Sequence, residues 1–189
     1  MRIARYKQKK NWVGKSLDDI AVMEDKPAVE IAETILRGGG ASVVNFSMNE
    51  DDVRHIMTID WVATASDGRA YLPGADRPHP RNYGTFPRKL AHYSLAEEVL
   101  PLPAAIRSMT SLPAEILRMK DRGLIKEGMV ADVTVFNPST LRDTATFDDP
   151  HQYAKGIEHV FVNGTIVLNS SKVTGALPGK ALRYSRPPR

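Results

Sequence analysis

Asp67 is the residue best placed to do chemistry. It follows the run Trp61-Val62-Ala63-Thr64-Ala65 and precedes Gly68. In sheets of parallel strands, reacting groups collect just past the carboxyl ends of the strands. A carboxylate there is either a working group or one half of an Asp-Gly turn. Residues 66–86 form a long connection that opens with Asp67 and holds Arg69, His79 and Arg81 among three prolines and three glycines. Loops of more than about 12–15 residues are usually functional or disordered, and this one is read as functional. The other chemistry-bearing types are dispersed. His55, His79, His92, His151 and His159 make no His-x-His and no pair at helical spacing, and the chain has no cysteine. Thiolate nucleophiles, disulfides and Cys-ligated zinc are excluded, and His79 reads as a structural loop residue.

The elements that must position Asp67 are alternating. Residues 41–48 and 61–65 have strand character, and residues 49–57, with Val53, Ile56 and Met57 facing inward, have helical character. Strand, helix, strand is the unit of a parallel sheet. Upstream, Ser16 and Asp19 have the spacing of a helix N-cap. Pro27 then opens a helix to Arg37 with Ala28, Ile31, Ala32, Ile35 and Leu36 on one apolar stripe. Gly38-Gly39-Gly40 follows that helix instead of preceding one, so it reads as a C-cap and turn and not as a phosphate cradle. Thr85-Phe86-Pro87 reads as the start of a helix through Leu90, and two short helices follow over 104–110 and 113–119. After Lys120 the chain turns to β structure. Residues 131–136 alternate, and Asn163-Gly164 sits at the centre of a hairpin over 160–168. The expected division is α/β over 1–120 and β over 121–189.

The totals set limits. The chain has 189 residues, 42% hydrophobic and 25% charged, with a formal net charge of +4. That is ordinary for a globular protein. No apolar run of 18 residues occurs, and the basic start is not followed by the apolar segment of a secretory signal, so a cytoplasmic protein away from membranes is expected. Arg2, Arg5, Lys7, Lys9 and Lys10 are either a phosphate-gripping arm or a solvated chain end. The second reading is preferred, and no nucleic-acid partner is expected. Arg186 to Arg189 are expected to be frayed.

Taken in order, the motifs resemble those of the amidohydrolase superfamily, and within it the N-acyl-D-amino-acid deacylases (D-aminoacylases). They are Asn45-Phe46-Ser47-Met48-Asn49-Glu50-Asp51-Asp52-Val53, Ala65-Ser66-Asp67-Gly68, His79-Pro80-Arg81, Gly84-Thr85-Phe86-Pro87-Arg88, Met109-Thr110-Ser111-Leu112-Pro113-Ala114, Asp121-Arg122-Gly123, Glu127-Gly128-Met129-Val130-Ala131-Asp132-Val133, Val162-Asn163-Gly164 and Pro178-Gly179-Lys180. Ser-Asp-Gly alone is weak; nine motifs in family order are specific. The stretch from Asp67 to Arg81 is slightly longer than the family's, which places an insertion around Tyr71-Leu72-Pro73.

The resemblance implies the last part of a (β/α)8 TIM barrel over 1–120, followed by part of a small β-sandwich domain over 121–189. A whole barrel takes about 250 residues. It implies hydrolysis of the linear amide of N-acyl-D-amino acids by a zinc enzyme whose metal ligands, His and Cys residues on earlier strands, are not in this chain. Asp67 would be the general base, Arg81 would grip the substrate carboxylate, and Met48 would line the pocket for the amino-acid side chain. Met48 is equally a core methionine at a strand end. The chain alone is expected to be inactive. It would be a truncated product, or a half that assembles with a separate N-terminal polypeptide or with itself. A cyclic-amide hydrolase is the nearest catalytic alternative; the His79-Pro80-Arg81 and Gly84-Thr85-Phe86-Pro87-Arg88 motifs favour the deacylases.

Overall fold

The structure, a computed structural model, describes residues 1–70 and 72–183. Tyr71, in the expected insertion, and Arg186 to Arg189, the expected frayed end, lie outside the described residues. The fold is mixed α/β and divides into two compact units. One comprises Met1–Asn49, Ser66–Gly84 and Thr144–Tyr153; the other comprises Glu50–Ala65, Thr85–Asp143 and the chain from Ala154.

The first unit is built on an antiparallel pair, β1 (Arg2–Arg5) and β2 (Ser42–Val44), with Arg2 opposite Val44 and Ile3 opposite Val43. Helix α1 (Leu17–Glu24) starts at Ser16, whose hydroxyl accepts from the Asp19 N–H while the Asp19 carboxylate accepts from the Ser16 N–H. Two otherwise orphaned donors are thereby satisfied. Helix α2 (Ala28–Arg37) follows Pro27 and stops at Gly38. Ile3, Tyr6, Trp12, Ile20, Ile31 and Ile35 form the core, with Trp12 and Ile20 almost wholly buried. The expected stripe on α2 is narrower than its pattern, since Leu36 is exposed.

Two expectations fail here. The amino terminus is not a solvated end. Ile3, Ala4 and Tyr6 are buried, and Arg2, Arg5 and Lys9 form ion pairs with Asp148, Asp76 and Glu24 at 2.5, 4.0 and 2.6 Å. Apolar residues between the charges supply the buried face that holds β1 in place. The strand expected over 41–48 is only three residues long, and its ladder is antiparallel to β1.

In the second unit, α3 (Glu50–Met57), α5 (Leu102–Met109) and α6 (Ser111–Ile116) accompany a core of Leu90, Tyr93, Leu100, Ala105 and Leu141. Val53 and Met57 pack against it, whereas Ile56 is nearly half exposed. Strands β3 (Val133–Phe136), β4 (Ile157–Val162), β5 (Thr165–Asn169) and β6 (Lys172–Val173) make an antiparallel sheet in chain order. Asn163 and Gly164 both take positive φ, 49° and 76°, at the β4–β5 turn. That is the primed turn whose twist suits paired strands.

Helix α4 (Arg81–Arg88) starts at Arg81, ahead of the start expected at Thr85, and continues as π-helical turns over Lys89–Ala96. Pro87 therefore lies inside a helix. Proline removes an N–H from the helical ladder, and the wider π-helical turns begin just after it. Residues 61–65 belong to no ladder among the described residues, contrary to the strand expected there. A strand is stable only against a partner, and side-chain character alone does not supply one.

Candidate functional site

Asp67 takes a left-handed backbone conformation, with φ of +46°. Asp and Asn tolerate that region better than other non-glycine residues. Gly68 then comes close to the far end of its own loop. A Cβ there would stand 3.1 Å from Asn82 Cα and 3.2 Å from the Arg81 carbonyl oxygen, so the approach is made backbone to backbone. The Gly68 N–H donates to Ser66 Oγ (3.1 Å) and the Arg69 N–H donates to Asn82 Oδ1 (2.6 Å). The two ends of the long loop are thus stitched together.

That stitching joins two of the three expected site residues. Arg81 Nη2 lies 2.7 Å from Asp67 Oδ2. The pair faces solvent, the Asp67 side chain being 83% exposed and that of Arg81 42%. Arg81 is the first residue of α4, where the helix dipole disfavours a cation and favours an anion such as the Asp67 carboxylate. Met48, the third, is 78% exposed, which removes the reading of it as a core residue.

His79 supports Arg81, whose backbone N–H donates to His79 Nδ1 at 3.0 Å. An accepting Nδ1 requires the proton to be on Nε2. Burial, and then the Arg81 charge, push the His79 pKa below its ordinary value, against an opposing pull from Asp67. The imidazole is therefore neutral at pH 7, as the acceptor role demands. Its ring meets Phe147 edge-on (4.9 Å between centroids), and Phe147 meets Phe46 in the same way (4.7 Å). Sequence reasoning missed Asn82 and Phe147. Nothing in the local pattern marks an Asn as the staple of a loop, and Phe147 comes from a distant segment.

Among the described residues, no three His, Asp or Glu side chains gather as metal ligands. His79 feels the positive charge of Arg81, which also repels a cation. Asp67, His79 and Arg81 therefore do not by themselves fit a metal ion among the described residues. What they can do is accept a proton at Asp67 and hold an anion at Arg81. No helix among the described residues is long and apolar enough to cross a membrane.

Comparison with known proteins bears on this arrangement. The sequence model of the Amidohydrolase family matches residues 1–168. D-aminoacylase of Alcaligenes xylosoxydans xylosoxydans is 38% identical over 89% of this chain and 34% of its own length. N-acyl-D-glutamate deacylase of the same organism is 39% identical over 90% of this chain and 33% of its own. A solved D-aminoacylase with a binuclear metal centre superposes with a TM-score of 0.83 at 36% identity, over 93% of this chain and 36% of that one. N-acyl-D-glutamate deacylase from Bordetella bronchiseptica, complexed with zinc and a phosphonate mimic of the tetrahedral intermediate, gives 0.80 at 35% identity, over 88% of this chain and 34% of that one. The chain spans about a third of the length of each.

Proposed function

This chain belongs to the amidohydrolase family, and from that premise we propose that it is the part of an N-acyl-D-amino-acid deacylase that carries the general base and the anchor for the substrate carboxylate. The observation that carries the reading is the meeting of Asp67 and Arg81 in a chain so similar to D-aminoacylases. In the proposed reaction, Asp67 takes a proton from the water that attacks the acyl carbon and delivers it to the departing amide nitrogen. Arg81 holds the α-carboxylate of the amino acid and so fixes the amide near Asp67. Met48 lines the side-chain pocket, where a flexible thioether suits varied apolar groups.

The metal that the zinc-bound relative holds would be bound by residues outside those described here. On this reading the chain supplies the last strands of a (β/α)8 barrel and part of a small β domain, divided near residue 120. Residues 61–65 and the three-residue β2 find their missing neighbours in the remaining two thirds of the fold, on a separate polypeptide or in a longer protein. Unpaired strand edges favour that association.

The test is to assay the chain with zinc and N-acetyl-D-leucine, first alone and then co-expressed with the preceding two thirds of a D-aminoacylase relative. The expected outcome is no hydrolysis alone and D-selective hydrolysis together. Hydrolysis by the chain alone, or none by the pair, would overturn the proposal.

A further inference from the structure

We infer that His151, acting through Tyr83, is a positioning residue for Arg81: it clasps the first turn of α4 to the middle of the preceding loop and so presets the anchor for the substrate carboxylate. The inference rests on the role proposed above for Arg81 and adds the residues that give that role its affinity.

All the bonds concerned lie within one compact unit. His151 Nε2 is 2.8 Å from the Asp76 carbonyl oxygen, and His151 Nδ1 is 2.8 Å from the Tyr83 hydroxyl. A carbonyl only accepts, so the ring proton is on Nε2, and the neutral imidazole accepts from the Tyr83 hydroxyl at Nδ1. One side chain thus joins two places that flank Arg81 in the chain. Tyr83 shares the first turn of α4 with Arg81, and its ring meets those of His151 and Tyr153 edge-on, at 5.7 and 5.6 Å between centroids. The far side of the clasp is fastened as well. The Arg77 N–H donates to the carbonyl of Ala4, a buried residue of β1, at 3.0 Å. A continuous path therefore runs from the core strand through Asp76 and His151 to the turn that carries Arg81. None of it needs an open surface.

The consequence for binding is entropic. A guanidinium on an unfastened loop would have to be ordered by its ligand, and the freedom lost would be subtracted from the binding free energy. The clasp orders the turn beforehand. The amino-acid carboxylate is held alike in the bound substrate and in the transition state, so this preorganisation acts on both equally. It should therefore appear in KM and leave kcat alone.

Two variants test it. Tyr83→Phe removes one hydroxyl and keeps the ring, and His151→Phe removes both bonds while leaving a ring against Tyr83. In the 189-residue chain, the Tyr83 and Gly84 amides, which donate to the Pro80 carbonyl, should exchange their hydrogens faster in both variants. In the enzyme reconstituted with the preceding two thirds of a D-aminoacylase relative, each variant should raise KM for N-acetyl-D-leucine by about two- to tenfold at constant kcat. Neither should raise it further once Arg81 is replaced in Arg81→Met. Unchanged exchange, or an unchanged KM in both variants beside a raised KM in Arg81→Met, would overturn the clasp and leave the anchor standing. A KM increase that persists in full on the Arg81→Met background would also overturn it, since the effect would not pass through Arg81. No hydrolysis by the reconstituted enzyme, or a KM that Arg81→Met itself does not move, would overturn the anchor and the clasp together.

Discussion

Arg81 and Lys89 are two cations placed in opposite surroundings. Arg81 meets a carboxylate in the open. Lys89 is 6% exposed, and its Nζ donates to a hydroxyl, Thr64 Oγ1, at 2.8 Å. Thr64 Oγ1 lies 3.0 Å from Ser108 Oγ, which in turn donates to the Ala105 carbonyl at 2.7 Å; the Thr64 N–H donates to the Ser108 carbonyl at 2.8 Å. This partly buried chain of bonds tethers Thr64 within residues 61–65, which join no ladder among the described residues. An exposed cation stays available to a ligand, whereas a buried one is committed to its neighbours because an unpaired charge there would be costly. The contrast separates the groups proposed to act from those that hold.

The comparison breaks most sharply at Asp67. In the reconstituted enzyme, D67N should lower kcat by about 10²- to 10⁴-fold, the usual worth of a general base, with the melting temperature of this chain nearly unchanged. Arg81→Met should act chiefly through KM, raising it by about tenfold or more as a charge-assisted contact is lost, again with little effect on stability. Lys89 should behave in the reverse way. Lys89→Ala should cost about 2–3 kcal/mol in urea unfolding, because the buried stem is lost and a cavity is left.

Lys89→Met fills that space and isolates the charge. Burial lowers the Lys89 pKa, so the unfolded chain binds the proton more readily than the native one. Native stability should therefore rise with pH from the lowered value towards about 10.4, and this increment should be missing from the Met variant when urea midpoints are compared across that range. The smallest of these effects belongs to the cap: Ser16→Ala should cost about 1 kcal/mol in the same measurement.

The parts of the fold legible in the sequence are those fixed by near neighbours. Ser16 and Asp19 satisfy each other's backbone within one turn. Asn163-Gly164 encodes its own turn geometry. Pro27 and Gly38 bracket α2. What was not legible depends on distant partners. The charges of the first ten residues concealed Ile3 and Tyr6, whose burial rests on Ile31 and Ile35. Residues 61–65 have the composition of a strand but pair with no strand among the described residues. Arg81 could be singled out by the resemblance of its motif, but its salt bridge to Asp67 accompanies the closure of the loop by Gly68 and Asn82, which no periodicity announces.

The most direct test of the central claim, that Asp67 and Arg81 are the working pair of this chain, is a double-mutant cycle on the reconstituted enzyme. kcat/KM for N-acetyl-D-leucine would be measured for wild type, D67N, Arg81→Met and the double variant. The account predicts a large loss for D67N expressed in kcat, a separate loss for Arg81→Met expressed in KM, and coupling between them. Near-wild-type turnover by D67N would contradict it.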